Sequence, residues 1–187
     1  MRILLHALSI VPLLAHAQQP VKPESAEAIH WMSVGEMQEA VKKAPRPVVM
    51  DVYTKWCGPC RMLATRTFTD PRLAAYVNKH FYAVKFDAES PDAVTFKEQK
   101  FENPGYDPNA GIRNSTHQFT YAIANVNGRI AYPTVVYLNE DLEVIAPVQG
   151  YLTPAQIEPI LKFIGEGAYK KQDYQSFQTG FQGQWGN

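Results

Sequence analysis

The chain has 187 residues and a formal net charge of zero at pH 7, with 18 basic and 18 acidic side chains. This length suits one domain with a complete hydrophobic core. Because the charge is balanced and no basic cluster or basic amphipathic segment occurs in the sequence, we expect neither nucleic acid nor a membrane surface as a partner.

Residues 1–17 have the pattern of a secretory signal peptide. Arg2 gives the positive start, residues 3–14 are mostly apolar, and residues 15–17 (Ala-His-Ala) form a small-x-small cleavage site. The apolar run is too short and too interrupted to span a bilayer comfortably. The alternative is a frayed or buried N-terminal segment. We expect a secreted or periplasmic protein that begins near Gln18, with no membrane insertion after signal removal.

The next part of the chain combines a polar lead-in with a helix and a strand. Residues 18–28 contain two prolines and are predicted to be flexible. Ser33 and Glu36 have the spacing of a capping box, which predicts a helix that ends before Pro45. Residues 48–53 are apolar almost throughout, which is typical of a central strand covered on both faces.

The only two cysteines follow this strand, in the motif Trp56-Cys57-Gly58-Pro59-Cys60. A helix-compatible run comes next, so Cys57 is predicted to lie at a helix N-terminus. Unpaired N–H groups and the helix macrodipole stabilise a thiolate there. Cys60 would lie one turn further on, close enough to attack a mixed disulfide formed at Cys57. The spacing indicates a dithiol/disulfide pair used for exchange.

Two other roles for this cysteine pair fit the sequence less well. A structural disulfide across so short a loop constrains the unfolded chain little. A structural zinc site needs about four protein ligands. The sequence has no second cysteine pair, and its scattered histidines, including His30, His80 and His117, have no ligand spacing to the cysteines. We expect no bound metal and no other cofactor.

The cysteine motif resembles the active site of the thioredoxin family, and further positions match in the same order. Asp51 stands where the family has its buried acid, and Lys85 where it has a lysine on the neighbouring strand. Pro133 stands where it has a cis-proline facing the cysteines. The resemblance runs from about Trp31 to about Gly165. It implies an α/β thioredoxin fold, in which a central mixed β-sheet is flanked by helices on both faces.

The resemblance also implies an exported thiol-disulfide oxidoreductase. Cys57 would attack a disulfide of a client protein, and Cys60, deprotonated with help from Asp51, would release the reduced client. Lys85 would tune the Asp51 carboxyl. A charge within an apolar strand is costly unless it is paired or protonated. The alternative for Asp51 is therefore a surface acid on an edge strand.

A client-binding surface beside the cysteines is part of the same resemblance. A cis bond at Tyr132–Pro133 would present the backbone of Tyr132 to an extended client segment, which could pair with it as an added strand. The family usually has a smaller or β-branched residue before this proline, so its substrate preference does not carry over directly. The residues expected to contact substrate are Trp56, Gly58, Pro59, Tyr132 and Pro133.

The direction of the reaction is indicated by two short segments. Gly58-Pro59 resembles the reducing members of the family, and residues 67–71 (Thr-Phe-Thr-Asp-Pro) resemble secreted relatives such as the C-terminal domain of the bacterial disulfide reductase DsbD. We expect a reductant of protein disulfides, supplied with electrons by a membrane-embedded reductase or another thiol reductant. Two alternatives stay open: an oxidase or isomerase on the same fold, and a redox-inactive binding or metal-delivery module.

Between the motif and residue 90 the chain predicts one more helix and one more strand. Asp70 suits an N-cap and Pro71 the first helical position, so a second helix is expected to begin here. Residues 81–87 have the apolar composition of a second central strand.

Residues 90–114 depart from a minimal thioredoxin and are interpreted as an insertion. A helix is predicted to begin near Pro91, and loop chemistry follows from Phe101 onward. Phe101 and Tyr106 either border a substrate groove or pin the loop, and pinning is the prediction we favour. Another helix is expected after the insertion, with His117 at its start and on the surface.

The remainder of the domain predicts a hairpin and a last helix. Residues 135–138 and 142–146 alternate around a polar turn, which indicates a β-hairpin. The last helix, with Thr153 as its cap, is expected to show a kink or a late start at Pro159, because proline lacks an N–H. The thioredoxin-like domain is thus predicted over residues 29–167.

Residues 168–187 form an aromatic C-terminal tail. Its aromatic side chains recur at spacings of three and four among Gln, Gly and Ser, which hints at a short helix packed on the domain. A disordered or partner-binding tail is the alternative that the sequence leaves open.

Overall fold

The computed structural model describes residues 27–186. The expected signal peptide and the lead-in up to residue 26 lie outside the described residues. The strands are β1 (Trp31–Met32), β2 (Val48–Tyr53), β3 (Tyr82–Asp87), β4 (Val94–Phe96), β5 (Gln99–Phe101), β6 (Thr134–Leu138) and β7 (Val144–Gln149). The helices are α1 (Val34–Lys43), α2 (Gly58–Met62), α3 (Pro71–His80), α4 (Gln118–Ala124), α5 (Pro154–Gly165) and α6 (Tyr174–Gly180). No helix within residues 27–186 combines the length and the apolarity needed to cross a membrane.

The main sheet is mixed and has the strand order β1-β3-β2-β6-β7. β1, β3 and β2 run parallel, whereas β6 is antiparallel to β2 and β7 is antiparallel to β6. β2 therefore lies at the centre, with a neighbour on each side, as its apolar sequence predicted. The end of β2 leads directly into the cysteine motif.

Helices cover both faces of this sheet, because alternate residues of a strand point to opposite faces. Val49 of β2 packs into the core on the side of α3 and α5. Val48 and Met50 pack into the core on the side of α1 and α4. The fold class predicted from the sequence, a central mixed sheet with helices on both faces, is confirmed.

The helix starts follow the capping residues that the sequence indicated. Ser33 forms a capping box with Glu36 at the start of α1. Asp70 caps α3 through the N–H groups of Arg72 and Leu73, and Pro71 follows at the start of the helix. These contacts pair N–H groups that have no partner within the helix itself. The local chemistry thus determines where each helix begins.

The helix after the cysteine motif is short and changes its winding. α2 continues directly into a π-helical turn, Leu63–Thr67, which ends where the N–H of Phe68 donates to the carbonyl of Leu63 at 3.0 Å. Single π-helical turns inside α-helices are frequent at functional sites. The side chain of Thr67 donates to the carbonyl of Leu152 at 2.6 Å, which ties the end of the turn to the segment before α5.

The prediction of a helix near Pro91 is wrong, because this part of the insertion is the β4–β5 hairpin. The aromatic rings of Phe96 and Phe101 are buried against Phe119 of α4. Gln38 of α1 holds the hairpin by donating to the carbonyl of Thr95 at 2.9 Å. The burial of two aromatic rings outweighs the local helix signal. It also confirms that Phe101 pins the insertion.

His117 is fully buried, so its predicted surface position is wrong. The ring caps α4, since its Nδ1 accepts the N–H of Phe119 at 3.0 Å. Its Nε2 lies 3.1 Å from the carbonyl oxygen of Asp92, to which it donates. Burial of a neutral imidazole costs little free energy when both of its nitrogens are hydrogen-bonded. Burial lowers the pKa of His117, which favours this neutral form.

The C-terminal half of the domain follows the prediction with small shifts. The hairpin is confirmed, although its second strand runs from Val144 to Gln149. α5 begins at Pro154, so the late start at Pro159 is wrong. The capping box of Thr153 with Gln156 determines that the helix begins at Pro154, upstream of Pro159. A kink at Pro159 stays a prediction.

The aromatic tail packs on the domain, which confirms the short helix and excludes a disordered tail over the described residues. α6 covers seven residues of it. Trp185 is only 5% exposed and packs edge-on against Tyr76 of α3. The buried carboxylate of Glu158 in α5 accepts the main-chain N–H groups of Gln184 and Trp185 at 2.7 to 2.9 Å. These contacts fasten the tail to α3 and α5.

Candidate functional site

Cys57 and Cys60 are joined by a disulfide at the start of α2. Cys57 is the N-cap, and its Sγ accepts the main-chain N–H of Cys60 at 3.1 Å. Pro59 lies in the first turn, where the N–H that it lacks would have no helical partner. Both cysteines are buried, whereas Gly58 is half-buried and Pro59 is exposed. The motif therefore reaches the surface at its two middle residues.

Asp51 lies in the middle of β2 and is 1% exposed, so the alternative of a surface acid on an edge strand is excluded. It is paired in register with Lys85 of β3, whose Nζ lies 3.9 Å from Oδ2 of Asp51. Neither carboxylate oxygen accepts a hydrogen bond from any described residue. Burial raises the pKa of Asp51 to about 6, and the positive charge of Lys85 offsets only part of this effect.

A cavity of about 140 Å³ connects this acid to Cys60. Asp51, Cys60 and Lys85 all line it, and its rim includes Lys55 and Arg61, which are exposed. This volume is large enough for several water molecules, and the unpaired carboxylate oxygens give such water polar partners. The cavity thus offers a route by which a proton can pass between Asp51 and Cys60.

Trp56 stands beside the cysteines and is held by three contacts. Its indole N–H donates to the carboxylate of Glu89 at 2.9 Å. The guanidinium of Arg113 lies over its ring, 4.2 Å from the ring centroid. The ring of Tyr132 packs edge-on against it, with 6.0 Å between centroids. Trp56 therefore joins the cysteine motif to both the insertion and the segment before β6.

The Tyr132–Pro133 peptide bond is cis. The hydroxyl of Tyr132 lies 3.3 Å from Oγ1 of Thr116, and burial raises the pKa of its phenol. The carbonyl of Pro133 accepts the N–H of Gly150 at 2.8 Å. The contact between Tyr132 and Trp56 brings this segment to the cysteine motif, as the sequence resemblance implied.

The residues proposed from the sequence thus meet in one region of the fold. Sequence analysis missed Glu89, Arg113 and Thr116, which hold Trp56 and Tyr132 in place. Their spacing to the motif carries no periodic signal, since they lie before, within and after the insertion, far along the chain from the cysteines. Within residues 27–186, no group of three or more His, Cys, Asp or Glu side chains is arranged to hold a metal ion.

The fold and the paired cysteines define a thioredoxin-fold protein of the thiol-disulfide oxidoreductase class. Residues 34–165 match the family model described as a thioredoxin-like domain. The chain belongs to this thioredoxin-like domain family.

Curated relatives and solved structures agree with this assignment. The thiol:disulfide interchange protein DsbD of Ralstonia nicotianae is 46% identical over 46 residues, which are 23% of this chain and 8% of that protein. A thioredoxin-like protein of Synechocystis is 30% identical over 61 residues, 33% of this chain and 55% of that protein. The solution structure of a thioredoxin from Thermus thermophilus shares 16% identity, with a TM-score of 0.54, and covers 78% of this chain and 95% of its own. The structural likeness supports the fold alone, and the chain spans 55% or less of the length of these curated relatives.

Proposed function

We propose that this protein reduces disulfides of other proteins in an exported compartment, with Cys57 and Cys60 as its redox-active dithiol. The observation that carries the proposal is the cavity that Cys60 lines together with Asp51, a buried acid that has no hydrogen-bond partner among the described residues. A purely structural disulfide has no use for a titratable group whose pKa burial has raised to about 6 beside it.

The reaction begins with the reduced protein. The Cys57 thiolate attacks one sulfur of a client disulfide, a mixed disulfide forms, and the first client thiolate leaves. The Cys60 thiolate then attacks the sulfur of Cys57 and expels the second client thiolate. Two electrons pass from the protein to the client, both client thiolates take up protons, and the Cys57–Cys60 disulfide remains.

Asp51 acts in the second step as the acceptor of the Cys60 proton. Its pKa of about 6 lets it hold or release a proton near neutral pH. Transfer through water in the cavity removes the need for direct contact between the carboxylate and the thiol. Lys85 limits the rise of the pKa, because its positive charge favours the ionised carboxylate.

The client binds along the segment before β6. Among the residues that the structure describes, the main-chain N–H and C=O of Tyr132 have no hydrogen-bond partner. They are therefore open to pairing with an extended client segment, in the manner of an added strand. Trp56, Gly58 and Pro59 form the adjoining surface, and Pro133 sets the course of the chain beside it.

The direction and the location of the reaction rest on resemblance. The Gly58-Pro59 pair and the likeness to parts of DsbD favour a reductant, supplied with electrons by a membrane-embedded reductase or another thiol reductant. The signal-like pattern over residues 1–17 supports export and cleavage before Gln18. N-terminal sequencing of the protein recovered from a periplasmic or culture fraction tests the export, and an intact Met1 there would contradict it.

The decisive experiment is the reduction potential of the Cys57–Cys60 pair. The purified protein is equilibrated in dithiothreitol or glutathione buffers of graded potential, and its free thiols are trapped by alkylation, with the Cys57→Ser variant as the control. A potential near the roughly −270 mV of thioredoxin supports a reductant. A potential near the roughly −120 mV of DsbA would make the protein an oxidant instead. Failure to form the disulfide at any potential would favour the binding module.

The electron donor is tested in cells. Alkylation of the cell-borne protein reports whether Cys57 and Cys60 are reduced, in a strain with and without its membrane-embedded disulfide reductase. We expect the reduced form to be lost with the reductase. An unchanged redox state would contradict this source of electrons, while leaving the chemistry of the dithiol intact.

A further inference from the structure

The insertion places one cation directly at the cysteine motif. Arg113 follows the β4–β5 hairpin in sequence, and its guanidinium lies 4.2 Å from the centroid of the Trp56 ring. A guanidinium over an indole face is held by the ring quadrupole. Trp56 directly precedes Cys57, so this charge lies against the residue next to the cysteine that meets the client.

The aromatic partner of Arg113 is itself fixed. The hydrogen bond to Glu89 orients the indole, and the ring of Tyr132 packs against it. The guanidinium therefore packs on a ring whose position the fold determines. Arg113 consequently loses less side-chain entropy when it binds a ligand.

The donors of Arg113 are free to bind. Its side chain is exposed, and it forms no hydrogen bond or ion pair with any residue that the structure describes. Glu89 accepts the indole N–H of Trp56, and Asp87 pairs with Lys55 at 3.3 Å, but neither acid forms an ion pair with Arg113. A planar guanidinium with free N–H groups matches a carboxylate through two parallel hydrogen bonds.

A second exposed cation, Arg61, lies beside the motif itself. A guanidinium nitrogen of Arg61 lies 3.9 Å from where a β-carbon on Gly58 would stand. Arg61 and Arg113 thus place two exposed positive charges beside the cysteine motif, although the whole chain has no formal net charge.

We propose that Arg113 is a specificity-determining residue that binds the carboxylate of an Asp or Glu next to the client cysteine. The inference rests on the proposed function and defines its preferred clients: disulfides with acidic flanking residues. The insertion thereby supplies a client contact that lies outside the cysteine motif and the segment before β6.

The test compares two disulfide-linked peptide pairs that carry a fluorophore and a quencher. They differ only in having Glu or Gln on both sides of one cysteine. The purified full-length protein reduces each pair with dithiothreitol as the recycling reductant, and kcat/KM is measured at low and high ionic strength. We expect a preference of about fivefold for the Glu peptide at low ionic strength, as an exposed charge pair provides, and a smaller preference at high ionic strength.

Variants assign this preference to Arg113. Arg113→Gln is expected to bring the ratio of the two kcat/KM values close to one, and Arg113→Lys to keep part of it, because lysine retains the charge without the planar fork. Arg46 is the matched control, since its guanidinium also lies over an aromatic ring, Tyr82, at 4.9 Å but at the opposite end of the strands. Arg46→Gln is expected to leave the ratio unchanged.

The outcomes separate this inference from the proposed function. Reduction of both peptides at equal rates by the wild-type protein would overturn the role of Arg113 and leave the oxidoreductase intact. A preference that survives in Arg113→Gln would overturn it too. If the wild-type protein reduces neither peptide, nor the disulfides of insulin, both proposals are wrong.

Discussion

Asp51 and Lys85 face each other across two parallel strands, with 3.9 Å between Oδ2 of Asp51 and Nζ of Lys85. This distance is too long for a hydrogen bond, and neither oxygen of the buried carboxylate has another partner among the described residues. The ammonium of Lys85 also lies over the rings of Trp31 and Tyr53, at 5.6 and 5.1 Å from their centroids. Because burial disfavours the charged form and Lys85 offsets only part of this effect, the carboxyl is easier to protonate than an exposed aspartic acid.

This raised pKa makes the stability of the fold depend on pH. The Asp51 carboxyl has a pKa of about 6 in the folded protein and of 3.8 when unperturbed, so the folded state binds its proton more tightly. The contribution of this bound proton to the free energy of unfolding is fully present below about pH 4 and is lost as the pH rises through about 6. The difference between the two pKa values corresponds to about 3 kcal/mol.

Replacement of Asp51 by Asn is therefore expected to stabilise the oxidised protein at pH 8 by about 3 kcal/mol and to have much less effect at pH 4. Urea denaturation at the two pH values measures the change. Asp141→Asn, at an exposed position, is the control and should alter neither value. An equal effect of Asp51→Asn at both pH values would show that its ionisation does not set the stability.

Removal of the second thiol is expected to trap the client. In Cys60→Ser the Cys57 thiolate can still form a mixed disulfide, but no second thiol is present to resolve it. We expect adducts that disappear on treatment with dithiothreitol and that mass spectrometry identifies as linked through Cys57. The matched variant, Cys57→Ser, should form far fewer. Equal trapping by both variants would contradict the assignment of Cys57 as the attacking cysteine.

The tail is expected to depend on the buried carboxylate of Glu158. Glu158→Gln leaves one acceptor oxygen for the N–H groups of Gln184 and Trp185 and buries an amide group beside them. Hydrogen bonds to a charged group contribute about 1.5–3 kcal/mol, so a loss of stability in this range is expected. Denaturant unfolding measures it, and hydrogen exchange at the amides of residues 184 and 185 should become faster.

A matched control for the tail exists at the end of the same helix. Glu166 is half-exposed and lies 3.8 Å from Lys162, so Glu166→Gln should change the stability little. If Glu158→Gln lowered the free energy of unfolding no more than Glu166→Gln does, this would show that the Glu158 carboxylate does not hold the tail.

The turn of the β4–β5 hairpin carries backbone strain that a glycine can relieve. Lys97 and Glu98 have φ values of 49° and 66°, a region that disfavours residues with a β-carbon. Hairpin turns of this kind prefer glycine at the second position. Glu98→Gly is expected to stabilise the protein by about 0.5–1 kcal/mol, measured by denaturant unfolding. Glu98→Ala removes the same charge and keeps the β-carbon, so a similar gain in that control would refute the explanation by strain.

Much of the fold follows from local chemistry that the sequence displays. The capping residues Ser33, Asp70 and Thr153 mark helix starts, and the structure has helices that begin directly after each of them. The apolar run of β2 indicates a strand buried on both faces, and the interruption by Asp51 indicates a polar group held inside. These signals are readable because each depends on residues within one or two turns of each other.

The two larger errors arise where distant segments meet. The helix predicted near Pro91 gives way to the β4–β5 hairpin, because Phe96 and Phe101 bury their rings against Phe119. His117 is buried because the carbonyl of Asp92 accepts its Nε2 proton. Neither contact has a signature in the local sequence.

The sequence by itself determined the cysteine motif, the strand and helix around it and the central place of Asp51, since these depend on short-range propensity and on which residues tolerate burial. Only the tertiary structure decided that Arg113 lies over Trp56 and that Glu158 holds the tail. These contacts join residues far apart in the chain. Their partners are chosen by the packing of whole elements, in which the burial of apolar surface outweighs the preferences of any single segment.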